Sequence, residues 1–207
     1  MAGPEMNIAL RNLRGPAAAL ALMLAPFVLT GCGPSSEAPL AGARIGGPFA
    51  LTDQNGKRMT DQALAGKYRI MYFGYSYCPD VCPTDLALIT AGLKAFEGKA
   101  PALAAKVQPV FVTIDPARDT PARLKTYLAD FHPRLIGLTG SAAEIAAVAR
   151  AYGVPYSRGE GEGDAYMMNH GNQVYLMAPD GAPIALMPTE PGRTPQDFAA
   201  ELARWVK

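Results

Sequence analysis

No sign of charge dominates this chain: 19 Lys and Arg face 18 Asp and Glu, for a formal net charge of +1. With Glu5, Arg11 and Arg14 set aside, the sequence from Cys32 onward carries 17 basic and 17 acidic residues. That balance argues against nucleic acid as a partner, because phosphate binding needs a clustered basic surplus. Internal repeats and long low-complexity tracts are also missing. A content of 49% hydrophobic and 18% charged residues reads as a compact fold, not a disordered chain. The strongly apolar stretch from Pro16 to Leu29 is shorter than the roughly 20 residues of a membrane-spanning helix, and Pro16 and Pro26 lie within it. Cysteine and histidine are scarce as well: the 207 residues hold three cysteines and two histidines.

What precedes Cys32 reads as an address. Arg11 and Arg14 form a basic n-region, the stretch from Pro16 is an apolar h-region, and small residues lead up to Cys32, which is the layout of a secretory signal. The ending "LTGC" resembles the bacterial lipobox, in which the cysteine is lipidated and becomes the mature N-terminus. On this reading residues 1–31 are a lipoprotein signal peptide and 32–44, rich in Pro, Ser and small residues, are a lipidated flexible tether. Residues 45–207 are then the folded domain, held by lipid to a membrane of the bacterial cell envelope and facing the periplasm or the exterior. With Cys32 committed to lipid, Cys78 and Cys82 can pair only with each other, in an oxidising compartment.

The domain begins with a hairpin signal, Asn55-Gly56 between two short strand-like runs. Strands and helices then alternate. "YRIMYFGY" and "VQPVFVTI" are apolar enough for strands buried on both faces, and "RLIGLTG" is a shorter strand. Apolar residues at helical spacing run from about Pro83 to Phe96, with Gly98 as a stop. A second helix opens at Thr120-Pro121, and a third carries a capping box, Ser141 with Glu144, and closes at Gly153. A hairpin about Asp180-Gly181 and a helix capped by Thr194 finish the chain. This order predicts an α/β sandwich around a mixed sheet and resembles the thioredoxin-like fold, with an N-terminal β-hairpin added.

Cys78 and Cys82, in "CPDVCP", follow the first buried strand, at the end of the sheet where open α/β folds place their sites. Each precedes a proline, which predicts a non-helical conformation for both cysteines and Pro83 as the first helical residue. Cys82 at a helix N-terminus is expected to have a lowered thiol pKa. A bridge across three residues closes a tiny loop and stabilises little, which weakens a purely structural disulfide. A redox pair, a metal site, or both remain open.

A metal needs further ligands. His132, after a helix and before a proline, reads as a loop residue. His170, in "AYMMNHGNQVYLM", precedes the strand that approaches the cysteine turn in a thioredoxin-like sheet. Two thiolates and one imidazole suit three-coordinate Cu(I), whereas structural zinc wants a fourth ligand that is not found. Met167, Met168, Met177 and Met187 read mainly as core or strand-face residues, with Met167 or Met168 a conceivable axial ligand. The stretch "SRGEGEGDAY" before His170 reads as a mobile loop.

Together, "YFGYSYCPDVCPTDL", "FVTIDPARDTP", "LIGLTG", "VARAYGV" and "NHGNQVYLMAPDG" resemble the Sco/SenC family of copper-binding thioredoxin-like proteins, from about Ile45 to the C-terminus. The resemblance implies copper delivery, or thiol–disulfide reduction, during assembly of the dinuclear copper centre of cytochrome c oxidase. The implied partners are the copper-site subunit of that oxidase or another copper chaperone. The family's ligands for copper, as Cu(I) or Cu(II), map onto Cys78, Cys82 and His170. Asp119, in the "DPARDT" turn, is an acidic candidate for a hydrogen bond behind the ligands, or else a helix-capping residue beside Thr120. One departure is visible: family members commonly have Asp before the histidine, and this chain has Asn169. A thiol–disulfide oxidoreductase using the two cysteines without copper is the competing reading.

Overall fold

The computed structural model describes residues 37–207, together with Met1 and Gly3. The folded unit is Ser36–Lys207. The expected signal peptide and Cys32 lie outside the described residues. No described helix is long and apolar enough to cross a membrane. The end of the expected tether lies against the domain: the Leu40 N–H donates to the Ile184 carbonyl at 3.0 Å.

The chain begins with the hairpin β1 (Ala50–Asp53) and β2 (Arg58–Thr60), and a single 3₁₀ turn, Asp61–Leu64, leads to β3 (Tyr68–Gly74). There follow α1 (Val81–Lys99), the short α2 (Pro101–Ala104), β4 (Val107–Thr113), α3 (Pro121–Leu128), β5 (Ile136–Thr139) and α4 (Ala142–Ala151). The chain ends with β6 (Tyr156–Arg158), β7 (Met168–His170), β8 (Val174–Met177), β9 (Pro183–Leu186) and α5 (Pro195–Trp205). Seven strands form one mixed sheet in the order β2-β1-β5-β4-β3-β8-β9, while β6 and β7 pair only with each other. Strands β3, β4 and β5 are parallel, and β8 and β9 continue the sheet antiparallel beside β3. This is the expected thioredoxin-like architecture with its added hairpin.

The centre of the sheet is covered on both faces, as the unbroken apolar runs of β3 and β4 require. Successive residues of a strand point opposite ways. Tyr72 therefore reaches Asp85 of α1 at 3.0 Å on one face, while Phe73 packs 5.2 Å from the Tyr152 ring, just past α4, on the other. The expected caps are all in place. The Thr120, Ser141 and Thr194 side chains accept from the first turns of α3, α4 and α5, and the last two form complete capping boxes. Asn55-Gly56 and Asp180-Gly181 both turn hairpins, with Gly56 at φ 79° and Gly181 at φ 90°.

One boundary differs from expectation. Helix α1 begins at Val81, so Cys82 is helical and only Cys78 remains in the loop. The residue before a proline usually avoids the helical region. In a first turn, however, the missing proline N–H would have had no partner anyway, so Pro83 as third helical residue costs little. The helix also runs past Gly98 to Lys99.

Candidate metal centre

The loop from β3 to α1 is anchored before it reaches the first sulfur. Buried Asp119 accepts from the Ser76 N–H at 3.0 Å, from Ser76 Oγ at 2.5 Å and from Thr113 Oγ1 at 2.7 Å. Arg123 adds a bond from Nε to Ser76 Oγ at 2.8 Å. Burial raises the Asp119 carboxyl pKa, and the three donors oppose that rise. Asp119 thus braces the loop two residues before Cys78. The N-cap of α3 is Thr120, not Asp119.

The two thiols differ sharply. Cys78 is half-buried in the loop, and its Sγ accepts the Cys82 N–H at 3.4 Å. Cys82 is fully buried in the first turn of α1. Its sulfur packs so closely on β3 that a Cβ at Gly74 would lie 3.0 Å away. Both cysteines are free thiols. Burial pushes the Cys82 thiol up to about 12, opposite in direction to the lowering expected of a helix N-terminus. Tyr72 lies beside this sulfur, and its hydroxyl is also pushed up by burial.

His170 ends β7 and comes to the sulfur of α1. Its Nε2 lies 3.5 Å from Cys82 Sγ, and its Nδ1 lies 2.8 Å from the Gly171 carbonyl. A carbonyl only accepts, so Nδ1 carries the proton and the Nε2 lone pair faces the sulfur. Tyr75 stands edge-on to the imidazole at 5.9 Å, and its hydroxyl meets Met167 Sδ at 3.9 Å. A cleft of 390 Å³ opens over this group, lined by Tyr75, Cys78, Met167, Met168 and His170 among others.

The expected residues lie near one another but not in a closed set. Among the described residues, no group of three His, Cys, Asp or Glu side chains stands ready to hold a metal. Cys82 and His170 meet, while Cys78 Sγ faces the Cys82 amide. His132 is elsewhere and buried, 3.3 Å from Glu97 and accepting the Arg134 N–H at 3.2 Å. The Asn169 amide lies beside Gly159, whose added Cβ would sit 3.2 Å from it. On a strand this is the face opposite His170.

The sequence reading missed the fastening of the His170 segment. Tyr166 donates to Asp115 Oδ1 at 2.7 Å, and Arg118 donates to the Asp164 and Tyr166 carbonyls at 2.8 and 2.9 Å. The stretch expected to be a mobile loop is therefore tied to the turn after β4. The "DPARDT" motif marked that turn, but nothing in the sequence marked its partner.

The SCO1/SenC family model matches residues 37–207. "Protein SCO1 homolog 1, mitochondrial" of Arabidopsis thaliana is 45% identical over 145 residues, which are 70% of this chain and 42% of that protein. The chain spans 42–50% of the length of the mitochondrial relatives that head the comparison. The structure of Bradyrhizobium japonicum ScoI with copper bound is 45% identical with a TM-score of 0.71, covering 78% of this chain and 99% of that one. BsSco, described as a member of the Sco family of cytochrome c oxidase assembly proteins and as containing a disulfide switch, shares the fold. It is 24% identical with a TM-score of 0.59 and covers 76% of this chain and 90% of its own. This chain belongs to the SCO1/SenC family.

Proposed function

We propose that the chain is a copper carrier of the cell envelope. One ion is held by the thiolates of Cys78 and Cys82 and by Nε2 of His170, then passed to the copper-site subunit of cytochrome c oxidase or received from another copper chaperone. The observation that carries this reading is the imidazole, whose Nδ1 proton is committed to the Gly171 carbonyl while its lone pair faces Cys82 Sγ at 3.5 Å. That is the tautomer a metal ligand needs, fixed by a backbone acceptor. The donor set fits: two soft thiolates and one imidazole suit trigonal Cu(I), the ion here being cargo. Half-buried Cys78 meets the ion first, and its side chain turns from the Cys82 amide into the cleft. The Cys82 thiol then loses its proton as the ion arrives, and the Nε2 lone pair of His170 completes the set. Two protons leave for each ion bound, so affinity rises with pH. The lipid on Cys32, the signal over 1–31 and the tether over 32–44 belong to the same proposal and would hold the carrier on a membrane.

Dithiol–disulfide exchange by the same cysteines is the second reading. It is favoured by the position of Cys78, the more accessible sulfur, which faces the Cys82 N–H at 3.4 Å. Copper titration of the reduced full chain separates the two. One ion per chain, lost in Cys78→Ser and reduced to weak binding in His170→Ala with exchange retained, supports the carrier. Unchanged copper affinity in His170→Ala overturns it.

A further inference from the structure

Strands β6 and β7 have three residues each and join no other sheet, so as an isolated hairpin they have little stability of their own. Yet β7 ends on His170, whose placement decides whether it can share a metal with Cys82. Something outside the hairpin must hold it. Tyr156 and Met168 pack against the core, and Arg118, from the turn between β4 and α3, ties the hairpin by hydrogen bonds.

Arg118 is 7% exposed and Asp115, its salt-bridge partner at 2.5 Å, is 3% exposed. Desolvating such a pair is costly, and it is weak as a source of stability. The geometry shows another use. Three segments converge on the guanidinium. Its own turn supplies Asp115. The hairpin supplies the Asp164 and Tyr166 carbonyls, both taken by Nη1, and the Tyr166 ring, whose centroid is 3.6 Å from the guanidinium carbon. The cysteine loop supplies the rings of Tyr77 at 4.6 Å and Tyr75 at 5.8 Å. Tyr166 closes the circuit through its bond to Asp115 at 2.7 Å. Nη2 finds no acceptor among the described residues, and aromatic faces surround the cation instead. A planar fork that stacks while donating in three directions is a task for Arg, and Lys cannot perform it.

We propose that Arg118 is the positioning residue of the copper site: it clasps the β6–β7 hairpin to the cysteine loop so that His170 reaches Cys82 before any metal arrives. The proposal rests on the copper reading of His170 given above. Without the clasp, ion binding must also order the hairpin, and that cost comes out of the affinity. Partners that orient metal ligands from behind typically account for about 10–100-fold in affinity, and a loss of that size is expected here.

The test uses the reduced full chain with Arg118→Met, Arg118→Lys and Tyr166→Phe, each made with His170 intact and with His170→Ala. Cu(I) affinity is read by competition with a chromogenic chelator, and amide hydrogen exchange is read over residues 159–170 of the copper-free chain. Expected are about a 10–100-fold loss for Arg118→Met with His170 intact, no further loss in the His170→Ala background, and faster exchange confined to the hairpin. Arg118→Lys should fail to restore affinity. Tyr166→Phe, which removes one hydroxyl and keeps the fold, should show a smaller loss with the same dependence on His170, and it decides the matter if Arg118→Met does not fold. Equal losses in both backgrounds would mean that Arg118 acts on the thiols or the fold, and would overturn the proposal. So would unchanged affinity in the Arg118 and Tyr166 variants. If His170→Ala alone leaves affinity unchanged, the copper reading itself fails, a result distinct from either.

Discussion

Alanine in place of glycine should act in opposite directions at two positions of this chain, and one of them reaches the sulfur. Gly74 is the last residue of β3. A methyl there would lie 3.0 Å from Cys82 Sγ, 3.0 Å from Phe111 Cε2 and 3.4 Å from Tyr72 Cε1. Comfortable carbon contacts lie at about 3.5–4.0 Å. The neighbours have no free space to retreat into, because Cys82, Phe111 and Tyr72 are all buried to within 1%. Overpacking of this kind costs about 1–3 kcal/mol. For a domain of this size each kcal/mol lowers the midpoint by about 2–4 °C, so Gly74→Ala should melt about 2–12 °C lower. Gly98, near the end of α1, has nothing within 4 Å of its would-be Cβ. Gly98→Ala should stabilise the helix by about 0.5–1 kcal/mol. Urea denaturation of the reduced chain, followed by circular dichroism, gives both values. Because the displaced sulfur is the one facing His170, Gly74→Ala should also weaken Cu(I) about tenfold if some 1.4 kcal/mol of the strain stays at the site. A Gly74→Ala chain as stable as its parent would refute the packing argument. A destabilised one with full affinity would show that the strain escapes through Phe111.

Two further outcomes follow from side chains at the edges of the fold. The Glu144 carboxyl is held at about 2, first by the Arg58 guanidinium and then by the Ser141 N–H and hydroxyl, against an ordinary 4.5. A depressed carboxyl contributes stability above its unfolded pKa and loses it as pH falls through the folded one. The melting-temperature gap between the parent and Glu144→Gln should therefore close between pH 4.5 and 2, and a gap independent of pH would refute the assignment. Asn169→Asp should change Cu(I) affinity by no more than a few-fold, against the roughly 10–100-fold expected of a group bonded to the ligand. The residue faces away from His170, whose Nδ1 already bonds the Gly171 carbonyl; a tenfold gain measured by chelator competition would show that a carboxylate there reaches the imidazole.

What could be read in advance was local. The apolar runs of β3 and β4, the Asn55-Gly56 and Asp180-Gly181 turns and the capping boxes of α4 and α5 each depend on residues within a few positions of one another. Those signals determined the element order, and the element order determined the fold. The failures share a physical cause. Cys82 was misread because a rule about one residue pair competed with the free N–H groups of a helix start, and the helix start prevailed. The β6–β7 hairpin has two three-residue strands with no apolar alternation, so its pairing leaves no periodic trace. The Arg118 clasp joins residues 46 and 48 positions apart, and that proximity comes from the closing of the sheet.

Depth of burial was equally illegible, and it changes the chemistry of the pair. Two identical side chains four residues apart end in different environments because one precedes the helix and the other lies in its first turn, pressed onto Gly74. Burial disfavours a thiolate at Cys82, whereas a cation bound to that sulfur would offset part of the charge that burial penalises. On the carrier reading, the imidazole lone pair turned toward the same sulfur adds a second donor for the ion. Disulfide exchange gains nothing from either feature, since it needs an attacking thiolate at Cys78 and a leaving or resolving one at Cys82. On the carrier reading, this asymmetry between the two thiols favours holding a soft cation over dithiol exchange.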